Sequence, residues 1–246
     1  MSALAPVYDR IGLSAYARHM TQRLVHFAQQ NEWLGRRVLD LGCGTGAATI
    51  WFAEHGYSVT GIDSDADMLE VARTHLETKS LSSNVVQMDL RTLTLTDTYD
   101  MVVALDVLNE LENVRELEMV FGSVLQVLKP KKWFMFDLHT LEGLAQRGQA
   151  DDSLLHEDAG LVVFARPDYD FERQFYTVTY DLFLAQDDLW RREKARRTLR
   201  AYPVQAVMAL LRRQGFELVS VMDDHLRPVD AANPKVSRVV FCVKRR

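Results

Sequence analysis

Three glycines and three acids are the residues of this chain whose spacing suggests chemistry. The run Val38-Leu39-Asp40-Leu41-Gly42-Cys43-Gly44-Thr45-Gly46 is followed, 17 positions after Gly46, by Asp63 at the end of Gly61-Ile62-Asp63. Alternating glycines let a ligand approach the backbone closely, and the start of a helix leaves N–H groups free to meet it. A carboxylate at the tip of the next strand is suited to accept from both hydroxyls of a ribose. Asp89, after Val85-Val86-Gln87-Met88, places another acid at a strand end. The pattern predicts a site for a nucleoside-containing ligand. The glycines alone also satisfy Gly-x-Gly-x-x-Ala, from Gly42 to Ala47, which suits a nicotinamide dinucleotide. Asp40, two residues before Gly42, argues against a pyrophosphate there, which would gain nothing from a negative charge.

A second set of polar residues follows the later strands. Asp106 and Asn109 come directly after Met101-Val102-Val103-Ala104-Leu105. Asp106 suits an amine or hydroxyl of a second substrate, or else caps the short helix expected over Val107–Leu111. His139 and Asp137 close the strand Trp133–Leu138, where a histidine is placed to act as a base near neutral pH. Tyr8 and Tyr16 lie in the N-terminal segment, and a ring or phenol oxygen there can meet a cation; Tyr16 also fits a plain helix-face core position. Tyr176, Tyr180, Arg200 and Tyr202 are expected to line a substrate roof, or simply to pack. In the basic run Arg191–Arg197, alternation puts Arg192, Lys194 and Arg196 on one strand face, read as solvated, or else as a contact for an anionic substrate or an RNA backbone. Cys43 sits in the glycine turn for its small size, and Cys242 reads as a core residue.

The elements that must position these residues alternate. Leu13, Tyr16, Met20, Leu24 and Phe27 recur at helical spacing, predicting a helix within residues 11–31. Strands are expected at Val38–Leu41, Ser58–Ile62, Val85–Met88, Tyr99–Leu105 and Trp133–Leu138. Helices are expected at Ala47–His55 (capped by Gly56), Ala66–Thr78 and Val114–Leu128, the last stopped by Lys129-Pro130. Such alternation implies right-handed crossovers and a parallel sheet with helices on both faces. From Gly160 to about Arg200 the chain is β-rich, with Gln186-Asp187-Asp188 a hairpin turn, and an antiparallel meander is expected. A helix from Pro203 to Gln214, capped by Gly215, and strands Phe216–Met222 and Val236–Val243 complete the chain. The fold class is therefore α/β: a doubly wound, Rossmann-like, mostly parallel seven-stranded sheet with an antiparallel last strand and an inserted antiparallel β unit.

Composition excludes more than it assigns. The 246 residues carry 48% apolar side chains and a net charge of −5, so no global basic field invites nucleic acid. Two unpaired cysteines give no disulfide framework, and no metal site is expected. Met1-Ser-Ala-Leu-Ala-Pro lacks the pattern of a signal peptide, and no apolar run approaches the ~20 residues of a membrane span. A cytoplasmic protein without a membrane partner is expected; the sequence does not give its oligomeric state.

Asp40-x-Gly42-x-Gly44-x-Gly46, Gly61-Ile62-Asp63-Ser64, Met88-Asp89-Leu90 and Tyr99–Leu105 together resemble the motifs of the class I S-adenosylmethionine-dependent methyltransferases, as do Ala201–Gly215 and Phe216-Glu217. The resemblance runs from about Val38 to Asp137 and resumes near Ala201. It implies that S-adenosylmethionine is the cofactor and S-adenosylhomocysteine the product. Gly42, Cys43 and Gly44 would pack on the methionine part, with Asp40 orienting the turn. Asp63, beside Ser64, would accept from the ribose hydroxyls. Asp89 would accept from the adenine amine, Leu90 would donate its N–H, and Ile62, Met68 and Met88 would cover or flank the ring. Leu105 and Asp106 would lie near the methionine end, and Tyr8 and Tyr16 near the sulfonium. Asp106, His139 and Tyr16 are the candidate catalytic residues. Relatives with an antiparallel insertion show an Asp-Leu-Asn-Thr-like stretch where this chain has Asp137-Leu138-His139-Thr140.

The domains expected are an N-terminal helical lid at 1–34, a core at 35–139 and 201–246, and a substrate-capping unit at 140–200. The expected acceptor is the nitrogen or oxygen of a small molecule. Alternatives are an RNA or protein methyltransferase, an NAD-dependent oxidoreductase and a non-catalytic binding protein. No Asn-Pro-Pro-Tyr-like tetrapeptide follows the fourth strand, as it does in many base-modifying relatives.

Overall fold

In the computed structural model, which describes residues 3–246, the strongly apolar segments are the central strands. β1 (Arg37–Leu41), β2 (Ser58–Asp63), β3 (Asn84–Gln87), β4 (Tyr99–Ala104) and β5 (Leu128–His139) run parallel. With β10 (Phe216–Met222) and β11 (Arg238–Arg245) they form a seven-stranded sheet ordered β10-β11-β5-β4-β1-β2-β3. The last strand in the chain, β11, is antiparallel to both neighbours, β5 and β10.

Alternation of side chains divides the interior into two cores. Val38, Met101, Val103, Trp133, Met135 and Cys242 point to one face, under α1 (Ala15–Gln30) and α2 (Ala47–Glu54). Leu39, Leu41, Val102, Phe134, Phe136 and Phe241 point to the other, under α4 (Val114–Val127) and α6 (Val204–Gln214). α3 (Ala66–Thr78) starts where the Asp65 carboxylate accepts from the N–H groups of Asp67 and Met68.

The second sheet is an antiparallel meander of β6 (Ser153–Glu157), β7 (Leu161–Asp170), β8 (Phe175–Gln186) and β9 (Leu189–Arg200). Gln186 pairs with Leu189, so the hairpin turn is Asp187-Asp188, with Asp187 at φ 54°. Tyr176, Val178, Tyr180 and Leu182 face inward and pack on Leu4, Val7 and Ile11 of the N-terminal segment. That segment is held on both sides. Thr45 Oγ1 in the glycine turn donates to Asp9 at 2.8 Å, and Arg10 pairs with Asp158 of the second sheet at 2.5 Å.

Several boundaries differ from the sequence expectation. The first helix begins at Ala15 rather than near residue 11, because Gly12 at φ 81° turns the chain beforehand. Met1 and Ser2 of the expected lid, and of the leader reading, lie outside the described residues. Pro130 does not follow a helix into a loop; it sits in β5, where the register against β4 shifts between Leu128 and Trp133 and Lys131 takes φ 61°. The short segment after β4 is a 3₁₀ turn, Leu108–Glu110, with no side-chain cap, so Asp106 is not a helix cap. α5 (Leu141–Gly148) and the exposed edge strand β6 had no clear periodicity to announce them. No helix among the described residues is long and apolar enough to cross a membrane.

Candidate active site

The carboxyl ends of β1, β2 and β4, the N-terminal segment and β9 enclose a cavity of about 430 Å³. Its floor is the glycine turn. Gly42 is at φ 67°, and a Cβ there would fall 2.4 Å from Val107 Cγ2, so the turn excludes any larger residue. Asp40 lies beneath this floor, not in the cavity. Its Oδ2 accepts from Thr49 Oγ1 at 2.7 Å, tying β1 to α2, and burial pushes its carboxyl up to about 6. Cys43 lines the cavity, with its thiol pushed well up by burial.

Asp63 stands at the cavity wall. Its Oδ2 accepts from the Gly44 N–H at 2.8 Å and its Oδ1 from the Asp65 N–H at 2.9 Å. Burial raises its carboxyl, and those two donors oppose the rise. Each oxygen keeps a lone pair for a further donor. Ser64, Met68, Asp89 and Leu90 line the same wall. Asp89 is occupied by its neighbour: Arg91 Nη2 approaches Asp89 Oδ2 at 2.6 Å, Arg91 Nε contacts both oxygens, and Arg91 Nη1 reaches Glu116 at 3.0 Å. Hydrogen bonding from Arg91 lowers the Asp89 carboxyl. Met88 lies outside the lining, and its N–H donates to Asp63 O at 2.9 Å.

The far end is built differently from the sequence expectation. Asp106, at φ 57°, lines the cavity beside Leu105. Arg197 of β9 donates to its Oδ2 at 2.8 Å and Arg238 of β11 to its Oδ1 at 2.7 Å. Burial opposes ionisation, but Arg197, His139 and Arg238 outweigh it and hold the carboxyl well below the usual range. A carboxylate so held is a poor proton acceptor. Arg238 also donates to Asp137 Oδ2 at 2.8 Å and to His139 Nε2 at 2.5 Å, and lies 3.6 Å from the Tyr16 ring centroid. Arg147 reaches the same His139 nitrogen at 3.0 Å. Burial, with both guanidinium groups adding to it, lowers His139 to about 4. It is neutral near pH 7, but its Nε2 lone pair is engaged. Neither His139 nor Tyr16 lines the cavity. Burial raises the Tyr16 phenol well above its ordinary value. Of the three candidate catalytic residues, only Asp106 faces the cavity, and its geometry makes it an anchor for two arginines.

Tyr8 lines the cavity from the N-terminal segment, with its phenol raised by burial. Tyr176, Tyr180, Arg200 and Tyr202 do not line it. The first two pack under the second sheet, Arg200 Nη1 donates to Glu112 O at 2.7 Å, and Tyr202 Oη donates to Leu111 O at 2.6 Å. Arg197, Arg238 and Glu110 went unmarked in the sequence. Glu110 lines the cavity from the 3₁₀ turn and accepts from Arg197 Nε at 2.7 Å. A signal for Arg197 did exist. Pairing across the Asp187-Asp188 turn sets it opposite inward-facing Val178, while Arg192, Lys194 and Arg196 alternate onto the other face. Arg196 nevertheless reaches the cavity lining, so it is not the simply solvated residue the sequence suggested.

A glycine turn under a nucleoside-sized cavity, with acids at the ends of β2 and β3, defines a cofactor-binding α/β enzyme. The family described as "Methyltransferase domain" matches residues 38–131. A Bacillus subtilis (strain 168) protein, provisionally named methyltransferase YqeM, is 31% identical over 196 residues, 76% of each chain. Two solved structures share the fold. An S-adenosylmethionine-dependent methyltransferase from Clostridium acetobutylicum ATCC 824 aligns with a TM-score of 0.84 at 19% identity, over 98% of this chain and 97% of that one. The sugar N-methyltransferase KedS8 from Streptoalloteichus sp ATCC 53650 aligns at 0.78 and 19%, over 100% and 94%. The chain belongs to the class I S-adenosylmethionine-dependent methyltransferases.

Proposed function

We propose that this enzyme methylates the nitrogen or oxygen of a small molecule in the cavity below β9. The observation that carries the reading is the partial roof: the N-terminal segment and β9 overhang the glycine turn around a cavity of about 430 Å³, a size suited to small molecules. KedS8, one of the structural neighbours, is a sugar N-methyltransferase, which is consistent with such an acceptor.

The residues present fit S-adenosylmethionine. Asp63 is ionisable and has free lone pairs for ribose hydroxyls, Met68 and Leu90 offer apolar walls to adenine, and Gly42 and Gly44 leave the turn open to the methionine part. Asp89 serves the adenine amine once it is shared with Arg91. The bound sulfonium supplies an electrophilic methyl group with a neutral leaving group. The chain's own task is to hold the acceptor in line and keep water out. The N-terminal segment is the lid, and residues 140–200 are the cap that shapes the acceptor end. Asp106, fixed between Arg197 and Arg238, holds that cap against the core. His139 and Tyr16 position Arg238 from behind.

Methyl-labelled S-adenosylmethionine incubated with a bacterial extract split by ultrafiltration tests the reading. Label entering the small-molecule filtrate supports it. Label entering only the retained protein or RNA contradicts it.

A further inference from the structure

The cavity carries two carboxylates that the fold does not fully consume. Glu112 is exposed and has no side-chain hydrogen bond among the described residues, and Glu110 is held on one oxygen only. Seven carboxylates and three arginines line the cavity among the described residues. Most of the acids are spoken for. Asp63 accepts from two backbone N–H groups, Asp65 caps α3, and Asp89 and Glu116 hold Arg91. Asp106 is clamped by Arg197 and Arg238. Glu110 is different. Arg197 Nε reaches its Oε1 at 2.7 Å, no hydrogen bond among the described residues reaches Oε2, and its side chain is 47% exposed, facing the cavity.

Resting on the small-molecule reading above, we propose that the acceptor is a primary or secondary amine that arrives as an ammonium ion, and that Glu110 binds it and takes its proton. The electrostatics favour this class. S-adenosylmethionine brings one net positive charge, fewer than the excess of acids over arginines in the lining. An anionic acceptor would meet repulsion. Arg197 offers it little, because its Nε, Nη1 and Nη2 already donate to Glu110, Asp106 Oδ2 and Asp106 O, and Arg91 is held by Asp89 and Glu116. Arg196, which donates only to Thr177 Oγ1 at 3.4 Å, is the one lining arginine without a carboxylate partner among the described residues. Against it stands the lining's excess of four acids, seven carboxylates to three arginines.

The chemistry balances. An ammonium has no lone pair, so one proton passes from nitrogen to Glu110 Oε2. The freed lone pair forms the N–C bond to the methyl carbon. The C–S bond breaks with its electrons going to sulfur, leaving a neutral thioether. The product leaves as an N-methylammonium ion, and Glu110 returns its proton to solvent. Charged and titratable groups face Glu110 from four elements: Arg197 of β9, Asp106 after β4, Asp63 of β2 and Tyr8 of the N-terminal segment. Desolvation by the surrounding protein raises the Glu110 carboxyl and Arg197 opposes the rise, which makes it a better base than a free carboxylate.

The test divides the small-molecule filtrate into cationic, neutral and anionic pools by ion exchange, and follows labelled methyl transfer into each. Transfer into the cationic pool supports the proposal. Transfer confined to the neutral or anionic pool overturns it while leaving the small-molecule reading intact; transfer confined to macromolecules fails that earlier reading instead. With the active amine fraction, E110Q should lower kcat/KM at least about 100-fold at pH 7. Its calorimetric affinity for S-adenosylhomocysteine should stay within about twofold, and activity should recover above pH 9, where the amine is neutral by itself. E110D should keep most of the pH 7 rate. Equal activity of E110Q and wild type at pH 7, or a loss in E110Q that high pH does not relieve, overturns the role of Glu110.

Discussion

Replacing Arg238 with Met should destabilise the protein by about 3–5 kcal/mol at pH 7.5, the range for breaking a buried ion pair by removing one partner. Arg238 is 9% exposed and bridges two carboxylates, Asp106 at 2.7 Å and Asp137 at 2.8 Å. Asp106 keeps Arg197 after the substitution. Asp137 is fully buried and keeps only the Asp106 N–H at 2.8 Å. Its carboxyl is already raised by burial, with Arg238 as the chief opposing charge, so removing Arg238 raises it further. A carboxyl raised above its unfolded value binds more protons in the native state, so stability falls as pH climbs from the unfolded value to the folded one. In the variant that fall extends to higher pH than in the wild type. The gap between them should therefore be larger at pH 7.5 than at pH 5. Methionine retains some packing against Tyr16, so the loss is mainly electrostatic. For a chain of this length, each kcal/mol shifts Tm by about 2–4 °C, giving a drop of roughly 6–20 °C. Urea and thermal melts of both proteins at the two pH values measure it. A loss under about 1 kcal/mol, or a gap that does not narrow at pH 5, would refute the reasoning.

Other substitutions probe the cofactor end. Asp63→Ala should weaken S-adenosylhomocysteine binding by about 10- to 100-fold, the range for hydrogen bonds to a charged group, with an unchanged circular dichroism spectrum. Wild-type affinity should decline on acidification at a pH above the ordinary carboxylate range, because burial raises Asp63 and its ionised form does the accepting; calorimetry from pH 4 to 8 checks this. Gly42→Ala puts a Cβ 2.4 Å from Val107 and a side chain at φ 67°, and should lower stability by about 2–4 kcal/mol. Adding Val107→Ala should restore part of that loss, as denaturant midpoints will show.

The parent sheet was legible because its strands are apolar on both faces, and burial follows from composition alone at Val102, Val103 and Phe134. The cofactor wall was legible for a similar reason: Gly42, Gly44, Asp63 and Asp89 lie close in sequence and at strand ends. The acceptor end was not. Asp106 meets Arg197 across 91 positions and Arg238 across 132, and such pairs exist only once the insertion and the antiparallel β11 are in place. A strand rich in arginine looks solvated until its partners are in place, and only then does Arg197, paired with Asp106 and Glu110, stand out from Arg196 beside it in the cavity lining. His139 was correctly placed at the end of β5, but its role depended on two guanidinium groups that its own neighbourhood in sequence does not show.

The most direct measurement is calorimetric titration of the purified protein with S-adenosylhomocysteine and, separately, with NAD. The account predicts one site per chain for S-adenosylhomocysteine, lost or greatly weakened in Asp63→Ala, and no heat with NAD. Saturable NAD binding without any response to S-adenosylhomocysteine would contradict it.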